Sequence, residues 1–299
     1  MCGIVGLFLK NETHRRDLGA LTAEMLAVLT DRGPDSAGIA IYSPTAAGRA
    51  KLTVRSEDPS VDWAAVAADV ARTVGEPVEA VARDTHAVLT LPGAALEAAV
   101  AALRVARPDV AVMSRGEAME IYKEVGLPPE VAKRFDIAGM GGTHAIGHTR
   151  MATESAVTTM GAHPFSTGAD QCLIHNGSLS NHNNVRRTLR HAGIAFESEN
   201  DTEVAAAYLT HKMAGGLDLG AALDAGIADL DGFYTFVVAT RTGFGVLRDP
   251  IACKPAVLAE TDDYVAIGSE YRAMAMLPGI DTAKVWEPEP ATSYFWTHQ

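Results

Sequence analysis

The chain has 299 residues, room for one large domain or two modest ones, and its 47% hydrophobic content supports a substantial core. A formal net charge of -12 argues against a nucleic-acid surface, which needs clustered Lys and Arg to displace counterions. Three cysteines (Cys2, Cys172, Cys253) form no disulfide framework, no apolar run is long enough to span a membrane and no signal peptide is visible, so a soluble cytoplasmic protein is expected.

Residues 2–10, CGIVGLFLK, are rich in apolar and β-branched residues and predict a strand. Residues 17–29 carry apolar positions at helical spacing. The turn-rich loop DRGPDSAG follows, and GIAIY at 38–42 predicts a second strand. Composition then shifts to Ala, Val, Glu and Asp over residues 46–136. Here VDWAAVAADVART predicts a helix, residues 85–91 a strand, GAALEAAVAALRVA a helix and DVAVMS a strand. GEAMEIYKEVG and PPEVAKRF predict two further helices. The strand, helix, strand order predicts an inserted α/β subdomain with a right-handed crossover.

From residue 144 the chain becomes strands and loops crowded with His, Thr, Asn and Gly. Helices are expected near 181–191 and 201–213, capped by Ser180 and Asn200, with a third at ALDAGIADL. FYTFVVAT, FGVLRD, PAVLAET and YVAIGSE predict an antiparallel meander, followed by an ordered but irregular tail holding Trp286 and Trp296.

The second residue raises a chemical question. Cys2 is either a buried strand cysteine or, once Met1 is removed, an N-terminal nucleophile beside its own amine. That amine has a pKa of about 7.7–8.0, so it can take the thiol proton at physiological pH. Arg32, in the Gly/Pro loop, is either a surface arginine or a cation that lowers a thiol pKa. Arg150 follows a predicted strand and can clamp a carboxylate. Asn176-Gly177 is either a hairpin turn or an oxyanion hole built from a side-chain amide and a backbone N–H. Asp201 either matches a helix dipole or holds a substrate ammonium. A substrate with an α-carboxylate, an α-amine and a side-chain amide satisfies the whole set. That substrate is glutamine, and the reaction is acyl transfer through a thioester. His144 and His148 stand four apart, but with Gly147 between them on a predicted strand they are a poor metal pair. Cys172 and Cys253 are expected to be packed thiols.

Six ordered segments, CGI at 2–4, RGPDSAG at 32–38, GHTRMAT at 147–153, AHPF at 162–165, HNGSLSN at 175–181 and DTE at 201–203, resemble the class II glutamine amidotransferases of the Ntn-hydrolase superfamily. DGFYTFVVA, RDPIACKPAVL and GSEYRA extend the resemblance, which covers residues 1–45 and about 137–275. It implies an α+β fold, a four-layer αββα sandwich, discontinuous over 1–45 and 137–299 and interrupted by the subdomain at 46–136. It also implies Cys2 as nucleophile, Asn176 and Gly177 as oxyanion hole, Arg32 as support, and Arg150, Thr153, His163 and Asp201 around glutamine. Two positions depart from the pattern: Met151 stands where many relatives have Trp, and Ala252 where glycine is usual.

No phosphate loop or acceptor site is visible, so ammonia is expected to pass to a partner. The insertion resembles that of the small glutaminase subunit of glutamate-synthase-like complexes, of which N-methylglutamate synthase, an enzyme of methylamine metabolism, is one. That resemblance implies no cofactor in this chain, with FMN and an iron–sulfur cluster on partner subunits. A stand-alone amidohydrolase and an inactive scaffold are the alternatives.

Overall fold

A computed structural model describes residues 2–152 and 156–298. In chain order the elements begin with β1 (Gly3–Leu9), α1 (Leu18–Val28), β2 (Ser36–Tyr42), β3 (Arg49–Ser56), α2 (Trp63–Val74), β4 (Glu79–Arg83), β5 (His86–Pro92), α3 (Leu96–Ala106), β6 (Val110–Gly116), β7 (Met119–Val125) and α4 (Pro128–Arg134). They continue with β8 (His144–Arg150), β9 (Phe165–Gly168), β10 (Gln171–Leu179), α5 (His182–His191), α6 (Asp201–Ala214), α7 (Leu219–Asp229), β11 (Gly232–Ala239), β12 (Gly243–Arg248), β13 (Val257–Glu260), β14 (Tyr264–Gly268), β15 (Lys284–Trp286) and β16 (Thr292–Thr297).

Two antiparallel sheets face each other. One is seven-stranded, in the order β15-β13-β14-β1-β8-β2-β7; the other is five-stranded, β16-β12-β11-β10-β9. Side-chain alternation along β1 shows why they stack. Val5, Leu7 and Leu9 pack outward with Leu18, Met25 and Leu26 of α1. Ile4 and Phe8 point inward to Ile174, Val237 and Phe244 of the second sheet. Gly6 lies between them, and a Cβ there would stand 2.5 Å from the Phe244 ring. On the far side Leu173, Tyr234 and Phe236 meet Val204, Leu209 and Leu223 of α6 and α7. The result is the four-layer αββα sandwich.

A third sheet, β4-β5-β3-β6, is antiparallel, with α2 and α3 packed together and sharing its core. The order of elements, βαββαβ, and the strand order make it a ferredoxin-like unit. Strands β3 and β4 are not legible from the sequence pattern. The α2 helix starts at Asp62, whose carboxylate accepts from the N–H groups of Ala64 and Ala65, and stops at Gly75 with φ +73°.

Five expectations change. GEAMEIYKEVG, expected as a helix of the insertion, contains β7, which pairs along β2 from Tyr42↔Met119 to Ser36↔Val125. Its helix-forming residues yield to tertiary context, because Met119 and Ile121 enter the core between the sheets and Tyr122 the core under α1. The expected meander is two hairpins in two sheets, β11–β12 in one and β13–β14 in the other. Asp249 turns the chain between them by accepting from the N–H groups of Ile251 and Ala252. The tail is not irregular, since β15 and β16 are the edge strands of the two sheets. Finally, Asn181 rather than Ser180 precedes α5, whereas Asn200 caps α6 through Thr202 N–H. Cys172 is buried against the Tyr42 hydroxyl, and Cys253 is exposed rather than packed. Among the described residues no helix is long and apolar enough to cross a membrane.

Candidate active site

Antiparallel pairing gathers the site at one end of the seven-stranded sheet. The start of β1 lies beside the end of β8 (Gly3↔Thr149), the end of β8 beside the start of β2 (Arg150↔Ser36), and the end of β14 beside β1 (Gly268↔Val5). The chain start is held from both sides. The Ile4 N–H donates to the Ser269 hydroxyl at 3.0 Å, and the Ser269 N–H donates to the Ile4 carbonyl at 3.0 Å. Arg32 Nε donates to the Cys2 carbonyl at 3.1 Å, and its Nη1 meets Glu270 Oε1 at 2.5 Å. Hydrogen bonding from Arg32, then from Arg272, holds the Glu270 carboxyl below its usual range. Arg32 therefore grips the backbone of residue 2 rather than its thiol. Glu270, which anchors Arg32, was not singled out from sequence; it lies in GSEYRA. Cys2 itself is partly exposed, with Sγ 4.0 Å from the Met151 carbonyl.

Arg150 is buried at the end of β8, with Nη1 3.4 Å from the Ala156 carbonyl. The backbone around it is fixed twice: Asp35 N–H donates to the Arg150 carbonyl at 3.1 Å, and Asp35 Oδ2 accepts from the Ala152 N–H at 2.8 Å. Gly33 is required here, because a Cβ would stand 2.6 Å from the Arg150 backbone. Thr153 lies outside the described residues.

The second sheet contributes the middle of β10. His148 Nε2 donates to the His175 carbonyl at 3.0 Å, which links β8 to the residue before Asn176. Asn176 is 2% exposed, and its Nδ2 has no hydrogen-bond partner among the described residues. Gly177 has φ +142°, and a Cβ there would stand 1.9 Å from the Phe233 carbonyl. Asn-Gly is thus a mid-strand feature paired to Thr235 and Tyr234, not a hairpin turn. At the start of α6, Asp201 Oδ2 accepts from the Leu179 N–H at 2.9 Å, and Oδ1 stands 3.7 Å from His175 Nδ1.

One hydroxyl ties this group together. Thr202 Oγ1 meets His163 Nε2 at 3.0 Å and His175 Nδ1 at 3.1 Å. His163 also packs on His148, ring centroids 3.9 Å apart. Burial is the main reason these imidazoles stay neutral: His148 is lowered to about 3, and His163 and His175 are lowered too. Thr202 and His148 were not singled out from sequence as site residues; the DTE and GHT motifs contain them without revealing their role. His144, the other member of the spaced pair, donates to the Thr240 carbonyl and stacks on Tyr42.

The arrangement offers a thiol just before β1, a buried amide whose Nδ2 is unpaired among the described residues beside a glycine at positive φ, a buried guanidinium and a carboxylate with one oxygen turned toward His175. Groups of these kinds are the ones that amide cleavage by a thiol nucleophile requires. Residues 137–298 match the glutamine amidotransferase domain family. The chain is 62% identical over 299 residues, 100% of its own length and 99% of the relative's, to a glutamine amidotransferase-like protein, GlxB, of Rhizobium meliloti. It is 43% identical over 101 residues, 34% of this chain and 16% of the relative, to a glutamine–fructose-6-phosphate aminotransferase of Xanthomonas campestris. The fold resembles the glutamine phosphoribosylpyrophosphate amidotransferase of B. subtilis at 21% identity and a TM-score of 0.62, covering 99% of this chain and 47% of that one. The chain belongs to the glutamine amidotransferase domain family, carried on a four-layer αββα sandwich.

Proposed function

We propose that the protein is a glutaminase that hydrolyses the side-chain amide of L-glutamine through a γ-glutamyl thioester on Cys2, after removal of Met1. The observation that carries this reading is the orphaned Asn176 Nδ2, buried beside Gly177 at φ +142°. A buried donor without a partner costs roughly 1–3 kcal/mol, a cost a site bears when the missing acceptor is a substrate oxygen.

The freed α-amine takes the Cys2 thiol proton, and the thiolate attacks the amide carbon. The oxyanion is met by Asn176 Nδ2 and Gly177 N–H. The amide nitrogen leaves as ammonia with the proton from the amine, and water then releases glutamate and restores the thiol. Arg150 and the region of Thr153 take the α-carboxylate, and Asp201 takes the α-ammonium. His163 supports the pocket through Thr202, and Arg32 fixes the Cys2 backbone.

We further propose that the ammonia goes to a glutamate-synthase-like partner in the cytoplasm. N-methylglutamate synthase is the specific case, with this chain as its small glutaminase component. FMN and an iron–sulfur cluster would sit on that partner. The support is the inserted subdomain, whose βαββαβ unit adds surface to the sandwich.

Intact mass after incubation with 6-diazo-5-oxo-norleucine tests the nucleophile. Loss of Met1 and one adduct, absent in Cys2→Ala, is expected. A Cys2→Ala variant with glutaminase activity within a few-fold of wild type would falsify the assignment.

A further inference from the structure

A buried lysine that the acyl-transfer scheme leaves idle lies under the loop that carries His163. Lys123, on the edge strand β7, is 4% exposed. Its ammonium donates to three backbone carbonyls of that loop: Ala162 at 2.8 Å, Pro164 at 3.2 Å and Met160 at 3.3 Å. Three acceptors match the three N–H bonds of an ammonium. Nζ also stands 4.6 Å from the centroid of the Phe165 ring. A cavity of about 30 Å³ lies between Lys123, Met160, Glu197 and Glu203.

The same loop is held at a second point. The Thr159 hydroxyl bonds to the Glu124 carboxylate, and Arg55 of the inserted subdomain donates to Thr159 Oγ1 at 3.2 Å. Gly38 on β2 lets the loop lie flat, since a Cβ there would stand 2.0 Å from the His163 carbonyl. The loop thus rests on β2 and β7, and Lys123 binds the backbone on both sides of His163.

We propose that Lys123 is a positioning residue whose three hydrogen bonds set the backbone of the His163 loop and thereby the affinity for glutamine. This rests on the acyl-transfer reading above.

Protonation controls the grip. Burial pushes the Lys123 ammonium down to about 7; the carboxylates of Glu203 and Glu197 oppose that fall, and the guanidiniums of Arg55 and Arg150 add to it. His163 and His86, both held neutral chiefly by burial, are further titratable groups whose charge is coupled to it. The neutral amine keeps two N–H donors, so one carbonyl of the loop loses its partner as pH rises through about 7.

The test compares glutaminase kinetics of wild type, Lys123→Met and Lys123→Arg from about pH 6 to 8.5, with thermal unfolding of each. Wild-type KM should rise several-fold across that range. Lys123→Met should raise KM about tenfold at the acid end, flatten its pH dependence and leave kcat within about threefold. Lys123→Arg, charged throughout, should recover part of the low KM and not lose it at high pH. A folded Lys123→Met with wild-type KM, or with a loss in kcat alone, overturns the proposal. If that variant does not fold, the wild-type profile decides, and a KM constant over the range overturns it. A wild type that neither turns over glutamine nor reacts with 6-diazo-5-oxo-norleucine overturns both this role and the acyl-transfer reading. An active wild type with an unaltered variant overturns only the former.

Discussion

Asn176 and Asp201 are both polar residues at the site, yet the fold treats them differently. Asp201 has one oxygen tied to the Leu179 N–H and the other turned toward His175. Asn176 Nδ2 is tied to nothing among the described residues. Asn176→Ala should therefore lower kcat by about 10²–10³-fold with little change in KM, because the lost donor serves the developing oxyanion. The same variant should not lose thermal stability, since it deletes an unsatisfied buried group. A variant that unfolds at a clearly lower temperature while keeping its kcat would show that the amide is structural. At this scale the sequence motifs are informative: they mark Cys2, Arg150, Asn176, Gly177 and Asp201 as a set. What they hide is the layer of contacts behind that set. Nothing in the pattern shows that Arg32 reaches the Cys2 carbonyl instead of the thiol, or that Glu270 anchors it from a segment 238 positions away. Such contacts depend on which strands become neighbours, and local sequence does not encode that.

At the scale of elements, the turn between β6 and β7 shows how the inserted unit is joined to the sandwich. The Asp170 carboxylate, 6% exposed, accepts from the N–H groups of Glu117, Ala118 and Met119 at 2.7, 2.8 and 3.0 Å. Gly116, at φ +150°, is needed because a Cβ would stand 2.1 Å from Asp170 Oδ1. Asp170→Ala should leave three donors short of an acceptor and cost about 3 kcal/mol or more of unfolding free energy. Urea denaturation would measure it, and a loss below about 0.5 kcal/mol would mean that water replaces the carboxylate freely. No local pattern announces this joint, because Asp170 lies in a short polar turn whose partners are more than 50 residues earlier. For the same reason β7 resembles a helix in isolation: Met, Glu, Ile, Tyr and Lys are compatible with either state, and only the covered faces of an edge strand decide. The strands β1, β2, β5, β6, β8, β11, β12, β13 and β14 were legible because their apolar runs are bounded by turn residues. The pairing of the last four into two sheets was not, because a connecting loop carries no record of which edge it reaches.

Across the whole molecule, buried neutral histidines set the acid limit of stability. His86, His144 and His148 are each lowered to about 3, chiefly by burial, and His163 and His175 are lowered as well. In the unfolded chain a histidine titrates at about 6.5, so between that pH and about 3 the unfolded state binds the extra protons. Stability should therefore fall as pH drops through this window, by up to roughly 1.4 kcal/mol per pH unit for each such histidine. Urea midpoints between about pH 6.5 and 4.5, above the range where carboxylates dominate, test this. A midpoint that stays level would show that these imidazoles open to solvent at little cost.

The pairing of Tyr42 with Met119 extends past the strand ends, with the Ser43 N–H on the Ala118 carbonyl and the Thr45 N–H on the Glu117 carbonyl. Topologically, then, β2 and β7 are a hairpin, and the whole ferredoxin-like unit is its turn. Lengthening a hairpin connection from about four residues to roughly seventy adds only about 2.5 kcal/mol of closure entropy, and a unit with its own core offsets that within itself. The hairpin therefore acts as a socket: its two leads emerge side by side, and any compact module whose termini meet can be seated there without re-registering the sheet that holds the thiol.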